Sequence, residues 1–362
     1  MARKNSVLKN IPIKKLIAAA QDLGGADKKS VRVDICIDVT APQAAADAVR
    51  RLFTPVSDRG RVHIEEFGEV AYQVAPDAGL LVIVAGRSDA LSRTVAQAVV
   101  TDKPVVVCAA DSKGVYERSQ RTSFPLEPTD IVDMDAVHNY AAFEKSLAAW
   151  IVDNDGCDHL ALAANFAFLR RPLAVDCRQR TALECGVVAA VPFIPGADMP
   201  VLIALQGKMI LQIAAAFGRP ISTDTIVEVA VTLPTAFGAR ALARSLCKRF
   251  PHLAWVMRGL TAYGITSALG AALTEFFARG GLPANISQAL DDARQRIGGL
   301  GGGAVEAVIG KVFGASDQAE RGGGDRAAAE DPGQDEYLRA LGVDPSEVDG
   351  HLPAAGRLGA GA

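Results

Sequence analysis

Three side chains stand where the strand ends of an α/β domain would gather chemistry: Asp38, Asp111 and Lys113. Two carboxylates and a lysine around one sheet edge could form a site for a nucleotide or another small molecule. The first turn decides against the commonest version of that site. A phosphate loop needs GxxxxGK[ST], whose backbone amides and lysine neutralise phosphate and whose hydroxyl holds magnesium. The equivalent turn reads DVTAPQAA, Asp38 to Ala45. Asp38 and Gln43 stand at the two glycines, Ala44 at the lysine and Ala45 at the hydroxyl. No group there offsets phosphate charge, and Asp38 repels it.

Other chemistries are no better supplied. A dinucleotide fold needs GxGxxG after its first strand, and no glycine occurs between Val31 and Phe53. A GxSxG nucleophile elbow is absent. A receiver domain needs an aspartate ending the central strand, whereas GLLVIVAG ends in Ala85 and Gly86. The histidines His63, His138, His159, His252 and His351 are isolated in sequence. The six cysteines, Cys36, Cys108, Cys157, Cys177, Cys185 and Cys247, form no CxxC pair, so no metal site or cofactor is expected. Reduced thiols in a cytosolic compartment are the expected state. A formal net charge of -3 argues against nucleic-acid binding, which needs a basic surface.

The elements that would position these residues follow from periodicity. VRVDICIDV, RVHIEEF, AGLLVIVAG, KPVVVCAAD and TDIVDMD read as strands. PQAAADAVRRLF, DALSRTVAQAVV and AVHNYAAFEKSLAAWIVDND read as the helices between and after them. Continuous apolar strands alternating with helices predict a doubly wound, mostly parallel sheet covered on both faces, over residues 30–155. Residues 1–29 form a basic leader without the apolar core of a secretory signal. That leader is expected either to be solvated or to rest as a basic amphipathic foot on an anionic membrane.

From Cys157 to about Gly314 the pattern is helical and strongly apolar, which predicts an all-α hydrophobic domain over residues 156–314. In VPFIPGADMP, Pro192, Pro195 and Pro200 forbid one continuous helix. Pro195–Gly196 reads as a turn, Asp198 as a cap and Pro200 as part of the first turn of the next helix. The result is a hairpin of two apolar helices. Its second arm carries Gln206, Lys208 and Gln212, which in a soluble bundle would line one polar strip. Lys208 near mid-helix would cost about 3 kcal/mol at a bilayer centre. Residues 315–362 are too polar and too rich in Gly, Ala, Asp and Glu to form a core, and predict a disordered tail.

Two resemblances add to this reading. The α/β part resembles a small Era-like GTPase domain in layout: EEFG, Glu65 to Gly68, lies where such domains carry DxxG, and Asp111 stands at the aspartate of NKxD. The resemblance implies a G-domain-like module that has lost its phosphate site. LALAANFAFLRRPLA, the PGADMPVL…Q…KM core from Pro195 to Met209, Phe237–Gly238 and Ala262 to Gly264 resemble the YcjF-like family of unknown function. That family's hydrophobic helical domain often follows bacterial GTPase domains. Together they imply a non-catalytic, cytoplasmic pseudo-GTPase that scaffolds or regulates, associated with the inner face of the cell membrane. Its partners would be the membrane surface, a partner's hydrophobic helices or a second copy. The alternatives are an unconventional nucleotide- or small-molecule-binding enzyme and a soluble helical interaction module.

Overall fold

β1 (Val31–Asp38) holds the sheet together, because its two faces carry different residues. Val33, Ile35 and Ile37 point to one side and Asp34, Cys36 and Asp38 to the other, as the period of two requires. Neighbouring strands are β2 (Gly60–Phe67), β3 (Leu80–Ala85), β4 (Val105–Ala109) and β5 (Ile131–Asp133). All pairings are parallel and the order is β2-β1-β3-β4-β5. The computed structural model describes residues 29–122, 125–134, 139–190, 198–219 and 254–281, with backbone alone at 198–200 and 254–255.

Helices cover both sheet faces. α1 (Gln43–Leu52) and α4 (Tyr140–Asp153) pack Ala45, Val49, Phe143, Leu147 and Ile151 on the Val33–Ile35–Ile37 side. α2 (Ala90–Val100) and α3 (Ser112–Ser119) pack Leu91, Val95 and Val115 on the side of Cys36, Leu81 and Ile83. The α/β architecture expected from alternating patterns is therefore present, and strand order reverses between β1 and β3. Short α3 was not foreseen; Asp111 caps it through the Gly114 amide at 2.9 Å.

The apolar run after Asp158 reads as one helical pattern, yet the chain breaks it. α5 (His159–Asn165) stops, Phe166 adopts an extended conformation, and α6 (Ala167–Ala190) begins. Phe166 forms a bridge with Pro55, and the Asn165 carbonyl accepts from the Val56 amide at 2.9 Å. Its fully buried ring meets Phe53 edge-on at 5.4 Å. Tertiary packing at this joint outweighs local helix preference. As a result the Val33–Ile35–Ile37 core continues without a gap into Leu162, Leu169 and Leu173.

α7 (Asp198–Ala216) and α8 (Ala254–Ala278) complete the described helices. α6 and α8 run antiparallel, with Gly186 beside Gly259 and Arg171 3.3 Å from Glu275. A Cβ on Gly259 would lie 3.0 Å from the Gly186 carbonyl oxygen, so the two backbones meet directly. Among the described residues, no helix is long and apolar enough to cross a membrane. The described residues belong to one compact unit, Met1–Leu300. The leader before Lys29, the hairpin tip with Pro192, Pro195 and Gly196, the Phe237–Gly238 segment and the tail at 315–362 lie outside the described residues.

Candidate functional site

The carboxyl edge between β1 and β3 is where doubly wound sheets hold ligands, because the connecting chains leave in opposite directions there. In this chain Asp38 fills that place with its own carboxylate. One oxygen accepts from the Thr40 amide at 2.9 Å and the Thr40 hydroxyl at 2.7 Å. The other accepts from the Ser88 amide at 3.0 Å and the Ser88 hydroxyl at 2.7 Å. Two amides and two hydroxyls pointed at one anion make the donor set an oxyanion ligand would need. Here that anion is tethered to β1.

Burial pushes the Asp38 carboxyl up, but the four hydrogen bonds from Thr40 and Ser88 outweigh it and hold the group below its ordinary value. Gly86 makes the closure possible. A Cβ there would stand 2.3 Å from the Thr40 hydroxyl oxygen and 2.7 Å from the Asp38 carboxyl carbon. The Thr40 hydroxyl also accepts from the Arg87 amide at 2.6 Å. Sequence reading found Asp38 but missed Thr40, Gly86 and Ser88. The available signal was the Asp-x-Thr spacing after β1, which favours a carboxylate bonding two residues ahead, and the Gly-x-Ser after β3.

Asp111 and Lys113 share the same sheet edge but take up other work. Asp111 bonds the Gly114 amide, and a Cβ on Gly114 would collide with its carboxylate oxygen at 2.1 Å. Lys113 projects into solvent and lies 3.9 Å from Glu117, one helical turn on. Exposed pairs of this kind contribute little. Beside the Asp38 knot, Thr40, Gly68, Glu69, Ser88, Asp89 and Arg93 line an open cleft of about 740 Å³. Neither Asp111 nor Lys113 reaches it.

The polar residues of α7 divide between two places. Gln206 donates to the Thr266 hydroxyl of α8 at 2.9 Å, inside the helix packing. Lys208 and Gln212 instead line a cleft of about 680 Å³ with Asp158, Asp176, Arg180 and Glu184. Asp198 opens α7 and Pro200 lies in its first turn. Arg170 donates to the carbonyls of Ala163 and Ala164, at 3.3 and 3.1 Å, at the end of α5. Burial, and then the Arg219 charge beside it, lower its pKa.

The described thiols are buried and free. Burial raises Cys185 to about 11 and Cys157 and Cys177 to about 12, so none is a ready thiolate. His159 bonds the Asn154 carbonyl at 2.8 Å and His63 sits 3.2 Å from Glu65. Among the described residues, no group of His, Cys, Asp and Glu is placed to hold a metal ion. What the site can do chemically is hold its own loops in one conformation and present the cleft beside them. No protein-family model, curated protein or solved structure matches the chain.

Proposed function

We propose that the α/β part is a G-domain-like module without nucleotide chemistry, and that the chain works as a scaffold or regulator rather than a hydrolase. The observation that carries this is the Asp38 carboxylate, which occupies the amides and hydroxyls of Thr40 and Ser88. A triphosphate tail would have to displace a fully bonded charge and then lie against it. The missing glycines and lysine of DVTAPQAA support the same reading. The helical part supplies the attachment, to the inner face of the cell membrane or to hydrophobic helices of a partner. Its exposed apolar side chains support this: Val201, 46% exposed, lies in the first turn of α7, and Tyr263, 41% exposed, lies one turn from the Gly186–Gly259 crossing. Both lie toward the end of the bundle where α6 ends and α7 begins.

Titration calorimetry of the full chain with GTP and with ATP, each with magnesium, tests the first half. No heat of binding at micromolar protein is expected. Magnesium-dependent micromolar affinity, or a nucleotide seated against Asp38 to Ala45, overturns it. Flotation with anionic liposomes tests the attachment. Bound wild-type chain and reduced binding by Val201→Asp are expected; equal recovery in the soluble fraction with and without vesicles removes the membrane reading and leaves the partner helix.

The cleft of about 740 Å³ beside Thr40 and Arg93 favours a second reading, in which a small molecule binds next to the sealed switch point without touching Asp38. Ligand-induced thermal stabilisation that Arg93→Ala abolishes would select it.

A further inference from the structure

The two edges of the sheet are unlike. β5 is three residues long, too short to recruit another strand, whereas β2 runs for eight residues from Gly60 to Phe67. β2 pairs with β1 on one side, and no other described strand lies beyond it. Its side chains are mostly exposed, Ile64 at 43%. An open edge of this length presents a row of amides and carbonyls to any strand that matches it.

We infer that β2 is a self-pairing edge, and that two copies of this chain join antiparallel across a dyad at His63 into one continuous sheet. The pattern of Arg61 to Glu65 is its own complement in that register. Arg61 lies opposite Glu65 of the second copy, twice, and Val62 lies opposite Ile64, twice. The strand pleat keeps each set on one face: Val62 packs toward the α1 side, where Glu66 lies 3.6 Å from Arg50, and the His63 ring lies 6.3 Å from Tyr72 on the other side.

Neighbouring registers are worse. A shift of one residue puts apolar side chains on the charged face. A shift of two in one direction sets Arg61 against His63. The same shift in the other direction sets Val62 against Glu66 and leaves Arg61 without an acid. Charges on an edge strand deter pairing with most strands. Here they select one partner, a second copy, by isologous symmetry. The competing contacts are exposed ones of the kind that contribute little: Arg61 is 3.8 Å from Asp77, and Glu65 is 3.2 Å from His63.

Sedimentation of the full chain in detergent-free buffer tests this with two charge reversals. Wild type is expected to dimerise reversibly. Arg61→Glu and Glu65→Arg are each expected to weaken the dimer at least about tenfold, since like charges then face each other at both positions. Mixed in equal amounts, the two variants should associate nearly as well as wild type. One chain then carries Glu at both positions and the other Arg at both. These side chains are exposed, so circular-dichroism melting at concentrations below the dimer's dissociation constant should be unchanged in each variant. Amide exchange in β2 provides a second readout, with protection that rises with wild-type concentration. A monomeric wild type, single variants that dimerise like wild type, or a mixture no better than its components overturns the proposal. None of these results depends on nucleotide or membrane binding.

Discussion

The carboxyl edge of the sheet and the crossing of α6 with α8 are both closely fitted, but by different physics. At the edge, one buried charge is held by four donors within 3.0 Å. At the crossing, two glycines let backbones touch, and the described polar link from α7 to α8 is the neutral Gln206–Thr266 bond. The first region depends on groups that are present and the second on volume that is absent. They should therefore fail in opposite directions, one when a side chain is trimmed and the other when one is enlarged. Phe166 joins the cores behind both, so its removal should weaken them together.

The largest effect is expected there. Phe166→Ala should lower stability by about 4 kcal/mol, since a fully buried ring leaves a cavity that the joint cannot close. Chemical unfolding followed by far-UV circular dichroism would measure it. If the loss is under about 1 kcal/mol, the two regions do not share the core as described.

Asp38→Ala should cost about 2 kcal/mol, because the charge-assisted bonds from Thr40 and Ser88 are lost while those partly exposed donors turn to water. The pH dependence sharpens the comparison. The folded carboxyl titrates below its unfolded value, which is about 3.9. Its stabilisation is complete above that value and is lost as pH falls through the folded one. Wild-type unfolding midpoints should therefore converge toward those of Asp38→Asn below about pH 4. Parallel midpoints from pH 7 down to 3 would contradict the assignment.

Gly259→Ala tests the crossing. Alanine gains about 1 kcal/mol in helix propensity, but its Cβ would stand 3.0 Å from the Gly186 carbonyl oxygen and 3.1 Å from Ala190. Overpacking of that kind costs about 1 to 3 kcal/mol. A net loss near 1 kcal/mol is expected, larger for Gly259→Leu. A stabilised Gly259→Ala would mean that the helices can separate freely. The smallest effect belongs to Lys113→Ala, expected within about 0.5 kcal/mol because its ion pair is exposed. A larger change would give Lys113 a role beyond the described contacts.

Much of the architecture was legible because burial imposes period. The apolar runs at Leu80–Ala85 and Val105–Ala109 are strands fully covered by helices, and only continuous hydrophobic segments satisfy both faces at once. Pro42 marked a helix start by local chemistry that needs no distant partner, whereas the short helix that Asp111 caps was not foreseen. The break at Phe166 was not legible. The local helix breaker in LALAANFAFLRRPLA is Pro172, which lies inside α6, whereas the chain breaks at Phe166 through contacts with Pro55 and Phe53, more than a hundred positions earlier.

The candidate site divides along the same line. By itself the sequence determined that the first turn lacks every group of a phosphate loop, since residue identity alone settles whether a positive charge and glycines are available. It also determined the polar positions of α7. Only the tertiary structure decided that Gln206 belongs to the helix packing while Lys208 and Gln212 face a cleft. Only it decided that Asp38 meets Ser88, because that bond needs β1 and β3 to lie side by side and Gly86 to leave the space between them. Spacing along a chain governs what a turn or a helix can do locally. Which distant donors a buried charge finds depends on strand order, and strand order is settled by the whole core.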